Sequence, residues 1–272
     1  PSEPDPASTG GGTWTLTPVE PQTMPHDLPV GLRVENMQLG WNGRSLVEGL
    51  TFEALPQAWT CLLGESGVGK STLLRTIADL IAPHPTTQIT GSDGKDLAGR
   101  IAYMAQQDLL LPWLSATENV ALGARLRGEQ PDFTTARRLL ERTGIVERAD
   151  ARPGEMSGGE RQRVALARTL MEERPVVLMD EPFSALDAIT RTQLQDLAFE
   201  LLQSRTVLMV THDPFEALRL GQSIHILRAG ANGDHKPIIP PGTPLRDPTD
   251  PSLRQNYHAI MFALSHRTGA AE

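Results

Sequence analysis

The chain has little cysteine and no long apolar run. Its single cysteine, Cys61, excludes a disulfide within the chain. Because Cys61 lies in an apolar stretch, we expect a buried structural thiol and not a reactive one. No apolar run approaches the ~20 residues that a membrane-spanning helix needs, so we expect any connection to a membrane to go through a partner.

Basic residues are also in the minority. The sequence has 25 lysines and arginines against 33 aspartates and glutamates, which gives a net charge of −8. A nucleic-acid partner therefore has no electrostatic support from the chain as a whole. With 272 residues, of which 39% are hydrophobic and 21% charged, the composition is that of a globular protein with a sizeable core.

The composition divides the chain into three parts. Residues 1–29 hold many Pro, Ser, Thr and Gly and predict a disordered tail. Residues 30–230 carry regular apolar patterns and predict one folded unit, with a helical subdomain at about residues 107–165. The Pro and Gly content then rises, and residues 231–272 predict a short C-terminal extension with one helix near 252–264.

Within the folded unit, apolar periodicity predicts helices that alternate with strands, and hence an α/β sheet with a helical insertion. Strands at 32–39 and 46–52 predict an N-terminal hairpin with Asn42-Gly43 as its turn. The other predicted strands are 59–63, 101–104, 176–179, 206–211 and 224–227. The predicted helices are 71–81, 117–126, 134–143, 158–171, 188–203 and 214–220, with Gly144 as a stop signal.

The run GESGVGKST at residues 64–72 fits the phosphate-binding pattern G-x-x-x-x-G-K-[ST]. It lies between a predicted strand and a predicted helix, where glycines can turn backbone N–H groups toward phosphate oxygens and the helix dipole favours an anion. In this pattern Lys70 reaches the β- and γ-phosphates, and the Ser71 hydroxyl ligates Mg²⁺. A glycine-rich turn before an ordinary helix is the competing interpretation. The residues predicted to bind nucleotide here are Gly64, Glu65, Ser66, Gly67, Val68, Gly69, Lys70, Ser71 and Thr72.

Two carboxylates, Asp180 and Glu181, follow the apolar run at 176–179. Asp180 can hold a hydrated Mg²⁺, and Glu181 can face the attacking water as a general base. A strand that simply ends in solvated acids is the alternative. It loses force because the same chain carries the phosphate-binding loop.

A second anion-binding pattern, MSGGE at residues 156–160, starts the predicted helix before that strand. A hydroxyl, backbone N–H groups and a helix dipole converge there. Two phosphate sites in one chain suggest that the second serves a nucleotide held by another subunit. These residues resemble the signature of the ATP-binding-cassette (ABC) ATPases, usually written LSGGQ. Met156 is near-isosteric with Leu, whereas Glu160 adds a charge near the partner's nucleotide.

Other motifs match the same family in the same order. Gln106 stands at the Q-loop position, although Gln107 competes for it, and SALD at residues 184–187 matches the D-loop. His212 matches the switch histidine, and Trp41 stands where an aromatic residue stacks on adenine. A lone histidine or tryptophan is more often structural, so these two roles depend on the resemblance.

The resemblance covers residues 31–230. It implies a P-loop NTPase core of the RecA-like type, with an N-terminal antiparallel β region and an inserted α-helical subdomain. It also implies ATP and Mg²⁺ as cofactors. The metal-associated residues that it implies are Ser71, Gln106 and Asp180.

For activity, the resemblance implies in-line attack of water on the γ-phosphate, with Glu181, His212 and Gln106 as the catalytic residues. It further implies a head-to-tail dimer of two copies, in which each ATP lies between the phosphate-binding loop of one subunit and the signature of the other. The nucleotide-binding residues that it adds to those of the loop are Trp41, Ser157, Gly158, Gly159 and Asp187.

Three functions compete for such a chain: the ATPase subunit of a membrane transporter, a non-transport ABC ATPase that acts on ribosomes or DNA, and an unrelated P-loop enzyme such as a small-molecule kinase. The signature and His212 argue against the kinase. Ribosome-associated members resemble two cassettes in one chain, and DNA-repair members carry a long coiled coil for which this sequence has no heptad run. The transporter is therefore the favoured function.

The run DLLLPW at 108–113 and the run DEPFSALD at 180–187 resemble the nitrate, taurine and alkanesulfonate importers. The longer run at 104–113 also resembles ATPases assigned to uptake of hydroxymethylpyrimidine, a thiamine precursor. An importer implies an integral membrane permease, a periplasmic solute-binding protein reached through it, and a peripheral location at the cytoplasmic face of the bacterial inner membrane. The cassette never touches the cargo, so the cargo stays open.

Residues 109–113 border the groove that receives a permease helix in this family. Trp113 is the expected contact, because aromatic anchors are enriched at interfaces. Leu110 and Leu111 fit a core position equally well.

Overall fold

Two β-sheets and eight α-helices form the part of the chain that the structure describes. This computed structural model describes residues 29–41, 44–228, 236–247 and 249–265. The predicted tail at 1–29 lies outside the described residues except for its last residue. The strands are β1 (Leu32–Trp41), β2 (Arg44–Ala54), β3 (Trp59–Gly64), β4 (Gln88–Gly91), β5 (Ile101–Met104), β6 (Val176–Asp180), β7 (Thr206–Thr211) and β8 (Ser223–Leu227). The helices are α1 (Lys70–Ile77), α2 (Ala116–Val120), α3 (Leu122–Leu126), α4 (Phe133–Arg142), α5 (Gly158–Met171), α6 (Ala188–Leu201), α7 (Pro214–Leu220) and α8 (Arg254–Ser265).

The first sheet is antiparallel and has the order β2-β1-β4. It confirms the predicted N-terminal antiparallel region. The predicted turn at Asn42-Gly43 lies outside the described residues, between the paired residues Trp41 and Arg44. The sequence analysis missed strand β4. β4 has only four residues, and so short a segment carries no periodic signal.

The second sheet is parallel, with the order β5-β6-β7-β3-β8. Every residue of β3, β6 and β7 is buried. Strands that are buried on both faces have continuous apolar sequences without alternation, which is why these strands were predictable as apolar runs. The parallel sheet confirms the predicted α/β core.

Two hydrophobic cores lie on opposite faces of the parallel sheet, because successive side chains of a strand point to opposite faces. On β3, Trp59, Cys61 and Leu63 pack with residues of α5, α6, α7 and α8. Leu62 packs on the other side, with the antiparallel sheet and α1. Burial raises the pKa of the Cys61 thiol, which agrees with the predicted structural role.

A third core, formed by α2, α4, α5 and the segment before α2, confirms the predicted helical insertion. The single helix predicted at 117–126 is wrong, because α2 and α3 meet at a break at Ala121. α3 is instead positioned against the end of α5, where Arg127 pairs with Glu172 at 2.6 Å. A Cβ at Gly123 would collide with the same Glu172 carboxylate.

The sequence predicts that helix α1 continues to residue 81, but in the structure it ends at Ile77. Asp79 takes a left-handed φ of +59°. Leu80 N–H then donates to Arg75 O at 2.8 Å, and Asp79 N–H donates to Thr76 O at 3.1 Å. These are the two bonds of a Schellman motif, which ends a helix. None of the helices in the described ranges is long and apolar enough to cross a membrane.

The segment after β8 packs back onto the core, with Leu253, Ile260 and Ala263 buried among residues of α5 to α7. Arg246 holds this segment in place and is only 8% exposed. Its guanidinium donates to five backbone carbonyls: Pro241 (2.7 Å), Leu218 (3.0 Å), Gly221 (2.9 Å), Pro240 (3.3 Å) and Gly242 (2.8 Å). Two of these carbonyls lie at the C-terminal end of α7, where the helix dipole favours a cation.

Arg246→Met should lower the free energy of unfolding by about 2–4 kcal/mol, since a buried acceptor without a donor costs ~1–3 kcal/mol and some of the carbonyls can bind water instead. Denaturant unfolding measures the change. The exposed Arg254 of α8 gives the matched control Arg254→Met, which should stay within about 0.5 kcal/mol of the unchanged chain. An Arg246→Met protein as stable as this control would contradict the anchoring role.

Candidate active site

The carboxyl ends of four neighbouring strands bring most of the predicted site residues to one edge of the parallel sheet. The phosphate-binding loop follows β3, Asp180 ends β6 and Glu181 comes next. His212 follows β7, and Gln106 lies two residues after β5. Ligands of open α/β sheets bind outside these strand ends, so the topology alone places a site here.

The phosphate-binding loop leaves the start of α1 without a side-chain cap. Gly67 and Gly69 have φ values of +83° and +101°, in the region that suits glycine. Gly69 is the N-cap of α1 and offers no side-chain acceptor, whereas α5, α6 and α7 begin with side-chain caps. The first N–H groups of α1 and the positive end of its dipole are therefore directed to an anion.

Lys70 is held between the loop and Glu181. Its Nζ donates to Gly64 O at 2.8 Å and to Glu65 O at 2.9 Å, and it lies 3.5 Å from Glu181 Oε1. Burial lowers the pKa of the Lys70 ammonium, and the Glu181 carboxylate opposes that shift. A phosphate at the loop would add negative charge that favours the ammonium form.

Asp180 accepts two hydrogen bonds at its buried position. Ser71 Oγ donates to Oδ1 at 2.9 Å, and the Tyr103 hydroxyl donates to Oδ2 at 3.1 Å. Burial, together with the Asp180 charge, raises the pKa of Tyr103, so the phenol remains a donor at neutral pH. The sequence analysis did not identify Tyr103. The one local signal for it is a hydroxyl-bearing side chain next to the last residue of the otherwise apolar strand β5.

The oxygens of Ser71 and Asp180 form a hard donor pair that suits Mg²⁺. Among the described residues, no group of three or more His, Cys, Asp or Glu could hold a metal. Mg²⁺ commonly takes only one or two protein ligands, with water and phosphate oxygens as the others.

Glu181 is contacted from three other segments. Gln106 Nε2 donates to its Oε2 at 3.2 Å, and His212 Nδ1 lies 3.0 Å from the same oxygen. Since a carboxylate only accepts, the second contact requires a proton on Nδ1. Together with Lys70 near Oε1, these groups fix the carboxylate. The backbone of Glu181 has an unusual left-handed φ of +45°.

The signature residues lie at the start of α5 and form a capping box. Glu160 N–H donates to Ser157 Oγ at 3.2 Å, and Ser157 N–H donates to Glu160 Oε2 at 2.7 Å. Arg148 Nε donates to the other oxygen of Glu160 at 3.1 Å. These backbone and side-chain bonds lower the pKa of Glu160. A Cβ at Gly159 would come within 2.7 Å of Thr190 on α6, so only glycine permits this close approach.

The profile of the family described as ABC transporter matches residues 47–184, half of the chain. This chain belongs to the ABC transporter family. An uncharacterized ABC transporter ATP-binding protein of Haemophilus influenzae is 50% identical over 200 residues, which cover 73% of this chain and 82% of that protein. An aliphatic sulfonates import ATP-binding protein of Paracoccus denitrificans is 37% identical over 245 residues, covering 89% and 95%. Another protein of that name, from Agrobacterium fabrum, is 40% identical over 195 residues, covering 70% and 73%.

The family membership confirms the predicted P-loop NTPase fold and makes the chain an ABC ATP-binding subunit, which is an ATPase. The unrelated kinase is thereby excluded. The family roles of the individual site residues stay predictions, and for two of them the structure adds only a local description. Asp187 of the D-loop caps α6 by accepting the N–H groups of Ile189 and Thr190, both at 3.1 Å. Trp41 ends β1, and its side chain lies outside the described part of the structure.

Two further residues of this ABC ATPase escaped prediction. Asn119 is fully buried and bonds the backbone of the segment before α2. Arg191, in the first turn of α6, contacts both the D-loop and the segment after β7. Only long-range contacts distinguish these side chains from ordinary surface amides and arginines, so no local pattern could have found them.

Glu181→Gln should lower ATP turnover about 10²- to 10⁴-fold, the usual effect of losing a general base. ATP binding should persist, because the loop and Lys70 remain. Phosphate release measures turnover, and retention of labelled ATP measures binding. The exposed Glu200 of α6 supplies the control Glu200→Gln, which should turn over normally. Near-normal turnover in Glu181→Gln would remove Glu181 from the catalytic role.

Proposed function

We propose that this chain is the ATPase subunit of an ABC importer that drives uptake of a small polar solute through a separate permease. The central observation for ATP hydrolysis is the Glu181 carboxylate at a strand end, contacted by Lys70, Gln106 and His212. For import, the support is that similar proteins are named aliphatic sulfonates import ATP-binding proteins. These names favour an alkanesulfonate over a thiamine precursor as the cargo.

In hydrolysis, Glu181 accepts a proton from the water that attacks the γ-phosphate. Gln106 and His212 hold the Glu181 carboxylate in place through Oε2. Lys70 is already within 3.5 Å of Oε1, so one cation faces both the base and the phosphates bound at the loop. Catalysis then consists mainly of positioning and charge stabilisation.

Ser71 and Asp180 are the residues that would hold Mg²⁺ in this site. Gln106 is assigned to the metal as well, because its amide nitrogen bonds Glu181 and its carbonyl oxygen is the atom suited to a hard cation. When bound, Mg²⁺ supplies positive charge that neutralises the phosphate oxygens. Tyr103 keeps one oxygen of Asp180 oriented while Ser71 contacts the other.

Two copies of the chain are proposed to pair head to tail, with Ser157, Gly158 and Gly159 of one copy on the ATP of the other. Ser157 Oγ accepts the Glu160 N–H, which leaves its own O–H to donate to a phosphate. Both oxygens of Glu160 are already bonded. The extra charge at this position is therefore paired within the subunit. Asp187 would lie at the same interface.

The proposed permease contact is a fixed segment and not a mobile loop. Arg161 Nε bonds the Asp108 carboxylate at 2.9 Å, and Arg168 donates to Leu109 O at 2.9 Å. Asn119 holds the other end, with its Oδ1 accepting from Leu111 N–H at 2.8 Å. Helix α5 and a buried amide thus fix residues 108–115.

This segment presents apolar side chains outward. Trp113 is 65% exposed and Leu109 is 59% exposed, while Leu110 is buried in the helical core and Leu111 is half-buried. The burial of Leu110 gives it a core position. Exposed apolar side chains on a rigid support suit a helix from a membrane permease.

The proposed importer function also implies a further partner and a location in the cell. A periplasmic solute-binding protein delivers the cargo to the permease, and the ATPase lies peripherally at the cytoplasmic face of the inner membrane. We retain residues 30–230 as the nucleotide-binding domain, about 107–165 as its helical subdomain, and 231–272 as an extension. The acidic net charge of −8 supports the absence of a nucleic-acid partner.

Ser157 should act on the ATP of the partner subunit. A heterodimer of one Ser157→Arg subunit and one Lys70→Ala subunit, isolated by two different tags, places both lesions in one composite site and leaves the other intact. Its ATPase should exceed that of either homodimeric variant. If each subunit instead completed its own site, both would be inactive, and activity no higher than that of the parents would count against the trans arrangement.

Trp113→Ala should weaken association with the proposed permease and lower the uptake of labelled alkanesulfonate. Thermal melting and ATP binding of the isolated subunit should not change, because the side chain is exposed. Co-purification from membranes measures association. Leu126, which is 78% exposed on α3, supplies the control Leu126→Ala. Intact association, or a collapse of the melting temperature, would place Trp113 outside the interface.

A further inference from the structure

A single arginine joins the D-loop to residues 211–216, named here the switch turn. Arg191 lies four residues after the D-loop, in the first turn of α6. Its Nη2 donates to Leu186 O at 2.9 Å. Its Nη1 lies 3.6 Å from Asp213 Oδ2, and its Nε lies 3.9 Å from Glu216 Oε1. One guanidinium therefore contacts the D-loop backbone and two carboxylates of the switch turn.

The buried carboxylate of Glu216 fixes the shape of the switch turn. Its carboxylate is 4% exposed and accepts from Thr211 Oγ1 at 2.6 Å and from Gln195 Nε2 at 3.4 Å. The same Thr211 oxygen accepts the N–H of Asp213 at 3.0 Å. Burial raises the pKa of Glu216, and Arg191 opposes this shift. Arg191 therefore favours the charged form of the group around which the turn folds.

The other end of the D-loop is bonded to the backbone of Glu181. Ser184 Oγ donates to Glu181 O at 3.0 Å, and the Glu181 side chain contacts His212 in the switch turn. A displacement of the D-loop would therefore reach Glu181 through Ser184 and His212 through Arg191. The contacts of Arg191 at 3.6 and 3.9 Å are ion pairs longer than hydrogen bonds, so this connection can tighten or loosen while the fold stays intact.

We propose that Arg191 is a positioning residue that couples the D-loop to the switch turn and thereby aligns His212 with Glu181. The inference rests on the proposed roles of His212 and Glu181 in hydrolysis. In the head-to-tail pair the D-loop belongs to the interface between subunits. Arg191 then connects the state of that interface with the geometry of the hydrolytic site.

Arg191→Met should lower kcat for ATP about tenfold, within the range of couplings carried by contact networks. KM should change less than about twofold, because Arg191 contacts the D-loop and switch turn and leaves ground-state binding at the loop intact. Arg191→Lys keeps the charge but not the planar fork and should recover part of the loss. The exposed Arg142 of α4 gives the control Arg142→Met, which should keep normal turnover.

A double-mutant cycle separates positioning from general destabilisation. In a His212→Ala chain, Arg191→Met should lower single-turnover hydrolysis less than about twofold, since the residue through which it acts is gone. A full loss in that background, an unchanged kcat in the otherwise unaltered chain, or an equal rise in KM would overturn the proposal.

If Arg191→Met fails to fold, Asp213→Asn replaces it, because Asn still caps α7 but lacks the charge that faces Arg191. A chain without any ATP turnover would instead overturn the proposed function.

Discussion

The position of β6 between β5 and β7 is the constraint on which the site depends. In a parallel sheet all strands end at the same edge, so the carboxylates at the end of β6 are flanked by the residues that follow its two neighbouring strands. Gln106 arrives from one side and His212 from the other. The phosphate-binding loop, after β3, lies one strand further along. The cluster is therefore a product of strand order, and each residue contributes only because its strand has this place in the sheet.

Helix α5 extends that arrangement beyond the sheet. Its first residues form the signature, and Arg161 and Arg168, further along, bind the segment that follows Gln106. The same helix packs on both the parallel-sheet core and the helical core. A tilt of α5 would thus be felt at the signature, at the exposed apolar segment and at the Q-loop together. These three segments are therefore expected to move together with α5 and not independently.

Consecutive residues were the easiest part of the molecule to predict from sequence. The loop at 64–72 and the pair Asp180-Glu181 depend on spacing that is visible in the chain, and the doubly buried strands appear as plain apolar runs. The end of α1 could not be predicted in the same way, because Asp79 at a left-handed position is only an occasional helix stop. Tyr103 and Arg191 act through partners that the fold brings from distant segments, and one sequence gives no sign of such pairs.

The backbone of Glu181 has a consequence for how this chain can evolve. Its left-handed φ of +45° costs a non-glycine residue of order 1–3 kcal/mol. Glycine or asparagine would relieve that strain, but neither carries a carboxylate. If Glu181 is the general base proposed above, the most thermostable sequence and the most active sequence differ at this position. With Glu181 in its proposed role, a selection for heat resistance alone would favour a well-folded protein that binds its nucleotide and hydrolyses it only slowly.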